Sequence, residues 1–75
     1  MKYYERIRNL REDKELKQTD IAEVLGIKQQ QYSRIETGVR ELHLDQLEKL
    51  CLFYNCSPEY ILGFIDFPKP LFEEK

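Results

Sequence analysis

The sequence predicts an all-α protein of five short helices, and three observations carry that prediction. Apolar residues recur at spacings of three and four through successive segments, as a helix requires to turn one face toward a core. Glycines at positions 26, 38 and 63 follow those segments, where a residue without Cβ closes a helix in the left-handed conformation. Ser57-Pro58-Glu59 reads as a helix start: serine caps, proline takes the first helical position, and glutamate lies at the positive end of the dipole.

Tyr3, Ile7, Leu10 and Lys14 set an amphipathic first helix over roughly Tyr3 to Lys14. Arg11, four residues after Ile7, falls close to that stripe, so it is expected to be partly buried and to need an acceptor. A second helix runs from about Gln18 to Leu25 with Ile21, Ala22 and Leu25 inward. Gly26 stops it, and Ile27 packs inside. The third begins near Lys28 or Gln29. Tyr32 and Ile35 share its inner face, leaving Gln29, Gln30, Ser33 and Arg34 outside. Gly38 ends it, and Val39 to His43 form a loop. Leu44, Leu47, Leu50, Cys51 and Tyr54 outline a fourth helix, and Pro58 to Leu62 a short fifth that ends at Gly63. The remainder, Phe64 to Lys75, contains Pro68 and Pro70 and is not helical through its middle.

The 75 residues suffice for one domain, divided here into residues 1–63 and an apolar tail, residues 64–75. A chain this short buries only roughly 60% of its unfolded surface, so its stability is modest unless it dimerises. No apolar run approaches the roughly 20 residues that cross a bilayer, and the N-terminus has no signal-peptide core. The expectation is a cytoplasmic protein without a membrane partner. Cys51 and Cys56 fit a reducing compartment as two small core residues; with one histidine they make no metal site. No cofactor or small-molecule ligand is expected. The net charge of −2 is unevenly spread. Residues 1–40 hold nine Lys/Arg against seven Asp/Glu, whereas residues 41–75 hold three against seven. Any nucleic-acid face belongs to the first half, since phosphate contacts need cations.

Between Gln18 and Thr37 two short helices meet through a tight glycine turn. Ala22 is small enough to let them cross closely, Gly26 makes the turn, and Ile21, Leu25, Ile27, Tyr32 and Ile35 weld the pair into one block. Taken with Arg6-Ile7-Arg8-Asn9-Leu10-Arg11, Ser33-Arg34-Ile35-Glu36-Thr37-Gly38-Val39-Arg40 and Tyr60-Ile61-Leu62-Gly63, this stretch resembles the phage-repressor and Cro family of helix-turn-helix regulators, the lambda-repressor-like or XRE-type domains. The resemblance covers roughly Glu5 to Gly63. It implies a five-helix bundle that lays its third helix in the major groove of double-stranded DNA while the second crosses the backbone. On that basis Gln29, Gln30 and Arg34 face base edges, and Lys28, Gln31 and Ser33 lie close by. Gln18, beside Lys17, meets a phosphate at the amino end of helix two, and Arg40 approaches the backbone. The resemblance also implies that Arg11 and Glu36 pair beneath the motif. Residue chemistry agrees independently: glutamine matches adenine N7 and N6, and arginine forks onto guanine O6 and N7. A polar face on a short helix is otherwise simply a solvated one.

The sequence departs from the family pattern at four places. Lys17 and Lys28 stand where Ser, Thr or Asn usually cap helices two and three; each lost cap is expected to cost about 1 kcal/mol. Glu15 replaces a glycine in a left-handed turn, a source of strain. His43 replaces a serine before helix four and is expected to be exposed. Ser33 and Ser57 have no histidine at a suggestive spacing, so the sequence argues against an enzyme. The rival reading is an antitoxin or regulatory subunit acting mainly through another protein, favoured by the acidic second half and the aromatic tail. For the tail, with Phe64, Ile65, Phe67, Leu71 and Phe72, two outcomes stay open: it pairs two copies across a palindromic operator, or it folds back onto helices four and five.

Overall fold

Every helix contributes a fully buried side chain to one core: Ile7, Ile21, Tyr32, Ile35, Leu50 and Ile61. The computed structural model describes residues 1–72. Its elements are α1 (Tyr3–Asp13), α2 (Gln18–Leu25), α3 (Gln29–Glu36), α4 (Leu44–Tyr54) and α5 (Pro58–Ile61), with no strand among the described residues. The expected helices are therefore present. α1 and α5 each end one residue short of expectation, at Asp13 and Ile61. No helix is long and apolar enough to cross a membrane among the described residues.

All five helices close in the same way. The N–H two or three residues past the helix end reaches back five residues: Leu16 to the Arg11 carbonyl, Ile27 to Ala22, Val39 to Arg34, Cys56 to Cys51 and Phe64 to Glu59, at 2.9–3.1 Å. This closure requires a left-handed residue just before the donor. Glycine fills that position three times, at Gly26, Gly38 and Gly63, while Glu15 and Asn55 fill it at φ 57° and 50°. The strain expected at Glu15 is thus present. Asparagine tolerates this conformation better than other side chains.

The starts of α1 to α4 share a second device. Their cap residues, Lys2, Lys17, Lys28 and His43, make no capping hydrogen bond with their side chains. Instead, each cap's own N–H donates to a side chain three residues on: Glu5 at 3.3 Å, Asp20 at 2.8 Å, Gln31 at 3.0 Å and Gln46 at 2.9 Å. Half of a capping box therefore survives at all four, including Lys17 and Lys28, where the sequence reading expected a lost cap. Ser57 alone caps with its hydroxyl, accepting from the Tyr60 N–H at 3.4 Å.

One expected core position is overturned. Leu44 is 84% exposed. The inward row of α4 is Gln46, Leu50 and Tyr54, spaced by four, and Leu44 lies about a third of a turn away from it. Cys51 and Cys56 are buried free thiols, as expected; burial pushes Cys51 up to about 11, well away from thiolate chemistry.

Of the two alternatives, the structure shows the fold-back contacts of the tail. Its backbone folds back: the Ser57 N–H donates to the Lys69 carbonyl at 2.7 Å, and Asn55 Oδ1 accepts the N–H groups of Leu71 and Phe72, each at 3.0 Å. Arg6, buried although the sequence gave no warning, donates from Nη1 to the carbonyls of Tyr60 at 3.1 Å and Ile65 at 2.9 Å, and lies over the Tyr60 ring. Yet the rings of Phe64, Phe67 and Phe72 remain exposed. Residues 73–75 of the expected tail segment lie outside the described residues.

The two turn glycines flanking α3 make distinct demands. At Gly26 a methyl group meets open space, so Gly26→Ala carries only the left-handed penalty, about 1–2 kcal/mol. At Gly38 a methyl group collides with the Tyr4 ring, so Gly38→Ala costs more. Urea denaturation of both variants, and of Gly38→Ala in a Tyr4→Ala background, checks this. The excess at Gly38 disappears when the Tyr4 ring is removed.

Candidate nucleic-acid interface

α2 and α3 pack across Ala22, which is nearly inaccessible and lets the two backbones approach. Gly26, at φ 69°, turns the chain between them, and Ile27 follows it into the edge of the core. With Tyr32 and Ile35 fully buried, the rotation of α3 is fixed. Gln29, Gln30 and Arg34 consequently stand exposed on its outer side, while Ser33 and Gln31 are half-buried. Lys17 and Lys28, at the starts of α2 and α3, are exposed, as is Arg40 in the loop beyond. The Arg40 N–H donates to the Arg34 carbonyl at 3.1 Å, which folds that loop against the end of α3. The structure thus brings the expected residues to the α2–α3 unit.

Beneath them the expected ion pair is present. Arg11 Nε donates to Glu36 Oε2 at 2.6 Å and Nη2 to Oε1 at 3.0 Å, a bidentate fork. The Glu36 side chain is only 2% exposed. Two further bonds were not anticipated. Gln18 Nε2 donates to Glu36 Oε1 at 3.2 Å, and Gln29 Nε2 donates to Gln18 Oε1 at 2.6 Å. A chain of polar contacts therefore runs from α1 through the end of α3 to the start of α2 and onto the first residue of α3. Its signal in the sequence was two glutamines eleven residues apart, a spacing that means nothing until the turn brings them together.

The comparisons with known proteins agree with this geometry. The family profile described as helix-turn-helix matches residues 7–61, most of the chain. The chain belongs to the helix-turn-helix family. That family is not enzymatic, in line with the sequence reading. The chain is 37% identical over 73 residues to an uncharacterized HTH-type transcriptional regulator, YobD, of Bacillus subtilis (strain 168). The alignment spans 97% of this chain but 65% of that relative's length. No solved structure matches the chain.

In this helix-turn-helix the buried carboxylate is held ionised. Burial alone pushes Glu36 upward, but hydrogen bonds from Arg11 and Gln18 outweigh it and hold the group below its ordinary 4.5. The hydrogen bond to Glu36 in turn raises Arg11, despite its partial burial. Burial pushes the phenols of Tyr32 and Tyr54 far up, and their hydroxyls have no hydrogen-bond partner among the described residues.

A carboxyl lowered by folding contributes stability in full above its unfolded value and loses it as pH falls through the folded value. Glu36→Gln, which leaves Arg11 without its counter-charge, therefore costs about 3 kcal/mol near neutral pH. The gap between the native and substituted chains narrows as pH falls below 4.5. Urea denaturation of both chains at neutral and acidic pH checks it; a gap independent of pH would mean that Glu36 is not held as a buried carboxylate.

Proposed function

We propose that the chain is a sequence-specific, double-stranded-DNA-binding regulator of transcription, acting as a repressor and reading the major groove with α3. The observation that carries this reading is the exposed row Gln29, Gln30 and Arg34 on a helix whose other face is fixed in the core. The relative's description as a transcriptional regulator supports it.

The geometry suits the task. Gln29 spends one N–H on Gln18, which leaves its second N–H and its Oε1 for the N7 and N6 edge of an adenine. Gln18 orients Gln29 from the amino end of α2. There, helix geometry leaves the N–H groups of Gln18 and Thr19 without partners inside the helix, turned toward a phosphate. Lys17 and Lys28 oppose the helix dipoles in the free protein, and a backbone phosphate relieves that opposition. Gln31 spends its carbonyl oxygen on the Lys28 N–H, so only its amide donor is left for DNA. Ser33 and Arg40 flank the same surface.

Arg34→Ala costs about 1–3 kcal/mol on the cognate site and relaxes preference at one base pair. Lys28→Ala weakens all sequences about equally and lowers the salt slope by about one. Binding selections on randomised duplexes, followed by titrations at several salt concentrations, check both. Unchanged sequence preference in the Arg34 variant would remove α3 as the reading element.

Regulators that read a few base pairs with one helix gain specificity by pairing across a two-fold site with half-sites about 34 Å apart. The rings of Phe64, Phe67 and Phe72, exposed on a segment whose backbone is tied down, supply apolar surface for such a homodimer on a palindromic operator. Replacing all three with serine in the full chain leaves the fold intact, since the rings are exposed. In sedimentation equilibrium it converts a dimer to a monomer and abolishes cooperative binding to a palindromic site. A native chain that stays monomeric on and off DNA would end the dimer proposal and leave half-site reading untouched.

A further inference from the structure

The exposed large apolar side chains are unevenly placed. Met1 and Val39 apart, all lie between Leu44 and Phe72, and none lies on α2 or α3. Part of that surface is shaped. Two shallow depressions of about 250 and 280 Å³ meet at Leu47 on the outside of α4. Tyr3, Leu42, Leu44 and Leu62 wall the first; Cys51, Leu52, Pro58 and Leu71 wall the second.

Charge says what such a surface accepts. Each depression has one charged lining residue, and both are carboxylates: Glu41 in the first and Glu48 in the second. Asp45, three residues before Glu48, shares its side of α4, and with Glu41 in the loop just before the helix the three make an acidic row. Lys49, the one cation of α4, lines neither depression. The ion pairs among the described residues are Arg6–Asp66, Arg8–Glu12, Arg11–Glu36 and Lys69–Glu59, so none of the three carboxylates pairs with a cation among the described residues.

We infer that the outer face of α4 is a docking surface for a cationic amphipathic helix of a partner protein. Leu44 to Leu52 spans about 12 Å, the length of roughly two helical turns, which fits apolar anchors at i, i+3 or i+4, and i+7. Lysines or arginines beside those anchors meet Glu41, Asp45 and Glu48. A second copy of this chain is the poorer occupant. Symmetric pairing through α4 sets the acidic row against its own copy while removing water from between like charges. Nor does the proposed dimer need this surface, because Phe64, Phe67 and Phe72 line neither depression. The inference goes beyond the DNA-binding reading and stands on different residues.

The test uses the intact chain and two synthetic helical peptides of about 18 residues, long enough to populate a helix in water. Both carry leucines at i, i+3, i+4 and i+7. One has flanking lysines and the other flanking glutamates. At low salt the lysine peptide binds about tenfold more tightly, as three exposed ion pairs allow, and added salt erodes the difference. Amide shifts on binding cluster at Leu44–Leu52, Glu59 and Leu62. Leu44→Glu with Leu52→Glu abolishes binding while the melting curve and the mobility shift on duplex DNA are retained. Glu41→Lys with Glu48→Lys reverses the preference between the peptides. Equal affinity for both peptides, binding of neither, shifts centred on α3 or the phenylalanines, or a native dimer that the Leu44/Leu52 variant dissociates would each overturn the proposal. In every one of those cases the DNA mobility shift independently reports whether the regulator reading stands.

Discussion

A carboxylate buried at the end of α3 is tolerable only if three helices come together around it. Glu36 takes a bidentate fork from Arg11 on α1 and an amide from Gln18 on α2. Apolar packing holds these helices together but tolerates small rotations and slips, because dispersion and hydrophobic burial have little direction. Hydrogen bonds to an ionised group do have direction. Each fixes an angle as well as a distance, and losing one leaves part of a charge unsolvated. The core thus supplies most of the cohesion, and the ion pair supplies register. That register extends to the surface through the Gln29–Gln18 bond, so an exposed amide at the start of α3 is positioned by a buried charge.

Short helices make this arrangement necessary. The longest here have 11 residues, below the length at which an isolated helix persists in water. Their ends must be closed, and the shared back-bond at all five C-termini satisfies carbonyls that would otherwise be left open. At the N-termini the return bond from the third residue does part of the same work. It also leaves lysine at the starts of α2 and α3, where a neutral cap would contribute more to stability. Those two positions sacrifice stability in the free chain and place cations beside the surface proposed to meet DNA, the kind of conflict expected where function overrides local preference.

Much of this was legible in the sequence, and the failures have identifiable causes. Gly26, Gly38 and Gly63 announced three helix ends because the left-handed conformation selects glycine. Asn55 gave no comparable signal, since asparagine is equally at home in other turns. Leu44 misled because hydrophobicity at a helix's first residue says little about direction: one turn of periodicity cannot fix the phase. Arg6 was invisible as a buried group, because its acceptors are backbone carbonyls at Tyr60 and Ile65, far along the chain and independent of side-chain identity. The outward row of α3 was legible because Tyr32 and Ile35 fix its inner side. The link from Gln29 to Glu36 was not, because a contact that crosses a turn depends on its geometry.

The charge distribution reconciles a net negative chain with a proposed polyanionic partner. What a phosphate backbone meets is the local field, and salt screens charges beyond roughly 8–10 Å. The cations at Lys17, Lys28, Arg34 and Arg40 lie on or next to the α2–α3 unit, while the excess carboxylates lie in residues 41–75. The acidic half is then more than a solubilising surface. If α3 meets DNA as proposed, the acidic half repels a phosphate backbone from the opposite side, so encounters that present α3 are favoured. The same segregation leaves α4 free to carry carboxylates beside apolar side chains, a combination that a phosphate-facing surface would not tolerate. Opposite charge preferences on two faces would let the two proposed partners bind without competing for one site.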